Sequence, residues 1–127
     1  CNGNTICYVK CNDPKDIHYT DLENMEEELR GFRTEEGDPY QLVPLPMSDP
    51  VYNGEGKRMP ATYANFLILN QAVLVPLYGV KTDGEAIVIF RKIFPEREIK
   101  GVDCKPLIEQ NGSLHCITIQ IPKGFLK

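Results

Sequence analysis

Two spacings of apolar residues alternate along this chain. Thr5-Ile6-Cys7-Tyr8-Val9-Lys10 is rich in β-branched and aromatic residues and predicts a strand. Asn12-Asp13-Pro14 breaks it. Leu22, Met25, Leu29 and Phe32 then recur at helical spacing, predicting a buried stripe on a helix that starts near Thr20. Glu23, three residues after Thr20, completes a capping box. Gly37-Asp38-Pro39 ends this segment, and residues 41–45 predict a second strand. Residues 65–69 and 72–77 are apolar runs parted by Asn70-Gln71, the pattern of a hairpin. A second helix follows, with Thr82 and Glu85 as its capping box and Ala86, Ile89, Phe90 and Ile93 as its buried stripe. Pro95 stops it. Residues 98–102 predict a strand, 105–110 a short helical turn, and 114–121 the last strand.

The order strand, capped helix, strand thus occurs twice, from Thr5 and from Ala72, as a weak internal repeat. The second copy has an extra strand before it, giving a ββαβ unit. Such alternation places the chain in the α/β or α+β class. Between the copies lies a Pro/Gly/Asp-rich stretch, residues 46–60. It is long for a plain connection and points to a role near a site.

Composition narrows the partners. The 127 residues are 42% apolar and 25% charged, with a formal net charge of −4. That balance argues against general nucleic-acid affinity, which needs clustered Lys and Arg. The acidic residues concentrate between Asp21 and Glu36, as on a solvated helix face. No apolar run approaches the roughly 20 residues that span a bilayer. No secretory signal is visible, and the chain begins at Cys1, as a piece of a longer protein would. Five cysteines occur without a Cys-x-x-Cys pair, so neither structural zinc nor a disulfide framework is expected. No metal or other cofactor is called for. Unpaired thiols suit a reducing, cytoplasmic setting.

The stretch Asn111-Gly112-Ser113-Leu114-His115-Cys116-Ile117-Thr118-Ile119-Gln120-Ile121 carries the most chemistry. Read as a strand, it buries Ile117, Ile119 and Ile121 on one face and presents Cys116, Thr118 and Gln120 on the other. His115 then points away from Cys116 as a structural residue, so the two are not a dyad. From pattern alone Cys116 is either a small buried hydrophobe or a nucleophile at a site. The Asn-Gly turn before it permits close backbone approach. His18 lies in the loop leading to the first helix, with no sign of an active-site role.

Two runs carry a resemblance: Arg58-Met59-Pro60-Ala61-Thr62-Tyr63-Ala64-Asn65-Phe66, and Gly112-Ser113-Leu114-His115-Cys116-Ile117-Thr118. With Val75-Pro76 and the Phe94-Pro95 helix end between them, they resemble the agmatine deiminase and bacterial-type peptidylarginine deiminase family over nearly the whole chain. That resemblance implies the pentein fold, five ββαβ modules about a pseudo-fivefold axis. The chain would then be a C-terminal fragment of one catalytic domain, with approximate modules at 1–50 and 60–127.

The resemblance further implies that Cys116 is the catalytic nucleophile and that Asn65 contacts the substrate. The reaction would convert agmatine or arginine-type substrates to a carbamoyl or citrulline product plus ammonia, through a covalent thiouronium. The family's general base lies in a Gly-His-x-Asp motif that this sequence lacks, as it lacks the acidic residues that grip the guanidinium. The three glycines and Asn-Ile often found before His-Cys are replaced by Gln110-Asn111-Gly112-Ser113-Leu114. The expected partner is a guanidino small molecule or an arginyl substrate, with neither nucleic acid nor membrane. The isolated fragment is expected to be inactive and, with module interfaces uncovered, to self-associate. The alternative is a non-catalytic binding or structural module that keeps the fold.

Overall fold

The computed structural model describes residues 3–121 and 124–125. The predicted order holds through most of it: β1 (Thr5–Lys10), α1 (Tyr19–Gly31), β2 (Gln41–Pro46), β3 (Leu67–Ile68), β4 (Ala72–Leu77), α2 (Thr82–Ile93), β5 (Glu98–Asp103) and α3 (Lys105–Ile108). β1 and β2 form a parallel two-stranded sheet, in register from Thr5 opposite Gln41 to Lys10 opposite Pro46. β3, β4 and β5 form a second sheet in that order, with β3 antiparallel and β5 parallel to β4. Each parallel pair is joined by its helix, because parallel neighbours need a crossover. The strand–helix–strand repeat is therefore real, and the second copy is a ββαβ unit.

β4 is the middle of the larger sheet, and Val73 and Val75 are fully buried. β3 pairs only with Val73 and Leu74, so Pro76 falls where one neighbouring strand remains. A proline without an N–H is tolerated there. α2 lays Ala86 and Phe90 on this sheet, and Phe66 and Phe94 pack around Phe90 with ring centroids 4.7 and 6.5 Å away. Tyr63, Leu67, Cys104 and Ile108 complete one core with them.

Four local expectations fail, each for a tertiary reason. First, neither capping box forms. His18 and Lys81 stand at the two N-caps without side-chain caps, and both threonines lie inside their helices. α2 is capped instead from the long loop. The Thr82 N–H donates to an Asp49 carboxylate oxygen at 3.3 Å, and the Asp49 N–H donates to Thr82 Oγ1 at 3.1 Å.

Second, the stripe expected on α1 is only half-buried, and Phe32 lies past the helix and exposed. The one buried α1 residue is Glu26. Tyr8 and Lys10 share a face of β1, as residues two apart must. Lys10 Nζ meets the Glu26 carboxylate at 2.9 Å, and Arg30 reaches it from one turn on at 2.6 Å.

Third, the predicted strand at 65–69 shrinks to β3. Residues Tyr63–Asn65 form a 3₁₀ turn, capped by Thr62 Oγ1 accepting from the Ala64 N–H.

Fourth, residues 114–121 are not a strand. His115–Ile117 is a 3₁₀ turn, and Ile117, Ile119 and Ile121 are 65, 89 and 51% exposed. Alternating β-branched residues suit a strand only where another strand offers pairing. Here the tail meets the sheet through side chains, with Gln120 Nε2 donating to the Ile68 carbonyl at 3.1 Å.

The expectation of free thiols also fails at one position, since Cys7 is disulfide-bonded. Cys11, Cys104 and Cys116 are free. Among the described residues, no helix is long and apolar enough to cross a membrane.

Candidate active site

The two predicted site residues meet. Asn65 lies at the end of the first 3₁₀ turn and Cys116 in the middle of the second, 51 positions apart. The Asn65 side-chain amide donates to the Cys116 sulfur at 3.1 Å. Its carbonyl oxygen accepts from the His115 N–H at 2.6 Å. One amide thus holds both the thiol and the backbone that carries it.

The chain reaches Cys116 through a tight bend. Asn111 has φ +61°, a left-handed conformation that asparagine tolerates better than most residues. Ser113 and Leu114 follow as buried anchors, and then the thiol emerges exposed. Its pKa is lowered, most by a hydrogen bond from the Ser113 backbone amide, then by the Asn65 amide, with its own backbone amide adding. Donors aimed at sulfur favour the thiolate, the nucleophilic form. Cys104 is the contrast: it is fully buried, and desolvation pushes its thiol up. Of the two, only Cys116 has the exposure and the polarity for chemistry.

His115 contributes its backbone. Its placement away from Cys116 was expected from strand alternation, and that ground lapses in a 3₁₀ turn. Among the described residues, its imidazole has no hydrogen-bond partner. His18 lies beside the groove described next, its N–H bonded to Asp16 Oδ1 at 2.9 Å.

A groove of about 650 Å³ opens next to these turns, lined among others by Ile17, His18, Met47, Arg58, Thr62 and Asn111. Arg58 is held by Asp16 at 2.7 Å, which ties the long loop to the segment before α1. That loop borders the groove, as its length suggested.

The sequence did not single out the groups beneath the site. Tyr78, just past β4, is 1% exposed and bonds the segments that lead into both turns. Its hydroxyl donates to the Thr62 carbonyl at 2.9 Å, accepts from the Thr62 N–H at 3.1 Å and lies 2.9 Å from Ser113 Oγ. Asp83 accepts from the Tyr63 hydroxyl at 2.7 Å and from the Gly79 N–H at 2.8 Å. A buried tyrosine in an apolar run reads as core, and only its distant partners reveal its other use.

Comparison with known proteins identifies the family. The model of the Porphyromonas-type peptidyl-arginine deiminases matches residues 1–122. A structure from Porphyromonas gingivalis, provisionally named an arginine deiminase, superposes at TM-score 0.96 with 52% identity, covering 99% of this chain and 37% of its own. Agmatine deiminase from C. jejuni gives 0.79 and 42%, over 89% of this chain and 32% of its own. A Marinomonas protein, provisionally named an agmatine deiminase, is 31% identical over 93% of this chain and 36% of its own. The chain thus spans about a third of the length of these relatives, in a mixed α/β fold shared with the solved structures. It belongs to the Porphyromonas-type peptidyl-arginine deiminase family.

Proposed function

We propose that this chain carries the nucleophile of a guanidine deiminase. One observation carries the reading. Cys116 is exposed, its sulfur accepts a hydrogen bond from the Asn65 amide at 3.1 Å, and its surroundings lower its pKa. A guanidinium is a poor electrophile, so attack on it needs a thiolate. The Cys116 thiolate adds to the guanidinium carbon and forms an S–C bond. A terminal C–N bond breaks, and that nitrogen takes a proton and leaves as ammonia. Water adds to the resulting thiouronium carbon and gives up its two protons, one replacing the proton taken by the departing ammonia and the other protonating that ammonia to ammonium. The C–S bond then breaks, releasing the carbamoyl or citrulline product and restoring the thiolate. Asn65 orients the sulfur and contacts the substrate, whose tail extends along the groove beside Thr62 and Asn111.

We assign the proton carrier to no residue of this chain. Among the described residues, no carboxylate or imidazole hydrogen-bonds the thiol. Residues 1–50 and 60–127 are read as two modules of a pentein ring. On this reading the complete protein, incubated with agmatine, arginine or a peptidyl-arginine, releases ammonia. Cys116→Ala abolishes that release, and undiminished release from the variant overturns the assignment. The 127-residue chain by itself is expected to release none. The exposed Ile117, Ile119 and Ile121 favour its self-association. A monomeric mass by light scattering at high concentration contradicts that.

A further inference from the structure

We propose that Tyr78 is a positioning residue for the thiol, holding Asn65 and Cys116 in register through one buried hydroxyl. The inference rests on the reading of Cys116 as nucleophile and goes beyond it to a residue that touches neither sulfur nor substrate.

The two site residues sit on separate 3₁₀ turns, each only three residues long. Such turns do not hold their own geometry, since their hydrogen bonds are poor and few. The constraint on them comes from beneath, from Tyr78. The Tyr78 hydroxyl is bonded to both the N–H and the carbonyl of Thr62, the residue that caps the Asn65 turn. It also meets the Ser113 hydroxyl, and the Ser113 backbone amide is the donor that does most for the Cys116 thiolate. Thr62 and Asn65 are three positions apart, and so are Ser113 and Cys116. One oxygen therefore stands at equal chain distance from the donor and from the sulfur it serves.

The ring behind that oxygen is fixed. Tyr78 is buried and packs on Tyr63 at 5.7 Å between centroids. Its backbone N–H is held at 3.2 Å by Asp83, and the same carboxylate accepts from the Tyr63 hydroxyl. Among the described residues no buried side-chain polar atom lacks a partner, so removing the hydroxyl leaves Thr62 and Ser113 to find new ones. A buried tyrosine used for packing alone would lose nothing at the sulfur when its oxygen is removed. A positioning tyrosine would lose thiolate stabilisation.

The test is the pH dependence of Cys116 alkylation by iodoacetamide in the complete protein, read by peptide mass spectrometry. In Tyr78→Phe the midpoint is expected to move up by about 1 pH unit, as when a thiolate loses hydrogen-bond support. Turnover should show kcat falling more than KM rises. Ser113→Ala, which keeps the ring, should move the midpoint in the same direction, and the double variant should add little to the larger single effect. Should Tyr78→Phe not fold, Ser113→Ala alone decides. An alkylation profile that superimposes on the native one in the folded variants overturns the proposal. Alkylation reads the sulfur and not the reaction. Loss of the nucleophile assignment, seen as turnover surviving Cys116→Ala, is thus a separate outcome.

Discussion

The two strand–helix–strand units share a topology and differ in how the helix is fastened. α2 lies on its sheet through Ala86 and Phe90, inside a cluster with Phe66 and Phe94. α1 lies on β1 around one buried carboxylate, Glu26, held by Lys10 and Arg30. Apolar contact is non-directional and insensitive to pH, whereas a charged clasp needs its partners ionised and in place. One crossover can thus be stabilised by packing or by a charge network. The unit that carries Asn65 and Tyr78 is the packed one.

That contrast can be broken from either side. The largest effect is expected in the packed unit. Phe90→Ala removes a fully buried ring and should cost about 3–5 kcal/mol in urea unfolding. A loss below about 1 kcal/mol would mean that α2 is not fastened as described.

The charged unit should respond less in size and differently in kind. Glu26→Gln keeps the shape and is expected to cost about 1–2 kcal/mol, because Lys10 and Arg30 are exposed enough to be rehydrated. Its signature is the pH dependence. Hydrogen bonds from Lys10 and then Arg30 hold the Glu26 carboxyl down to about 2, against an ordinary value of 4.5. A depressed folded-state pKa means stability fully present above the unfolded value and lost as pH falls through the folded one. The native protein should therefore lose this contribution between about pH 4.5 and 2, and Glu26→Gln should flatten the slope there. Equal slopes in both proteins would remove the clasp from the account.

The smallest expected effect sharpens the comparison at the helix ends. Asp49→Ala removes the cap that the long loop gives α2 and should lower stability by about 1 kcal/mol. No such cap exists on α1, where His18 has none to lose. An unchanged melting temperature would show that the loop merely lies near α2.

The same contrast explains what was legible in the sequence. Periodicity found α2 and its stripe because Ala86 and Phe90 are apolar residues on an apolar sheet. It misread α1, because Glu26 counts as surface in any pattern, and one of its two partners, Lys10, lies sixteen positions earlier. The hairpin, β5 and the short α3 were readable from local residue types. The last strand was not: Ile117, Ile119 and Ile121 alternate as a strand would, yet among the described residues the tail has no neighbouring strand to pair with. At the site, Cys116 and Asn65 were named through family likeness. Their contact, and the tyrosine under both, arise from pairs 16 to 51 positions apart, which no local pattern encodes.

The long loop between β2 and β3 is pinned on both sides of its exposed turn. Asp49 is bonded into α2 on one side, and on the other Arg58 is clamped to Asp16 and paired across to Tyr52. Between the pins, Gly54, Glu55, Gly56 and Lys57 are open to solvent. A protease that nicks the backbone there would sever the covalent path and leave both ends moored. The two pieces would stay associated, and the groove lined by Arg58, Thr62 and Asn111 would keep its walls.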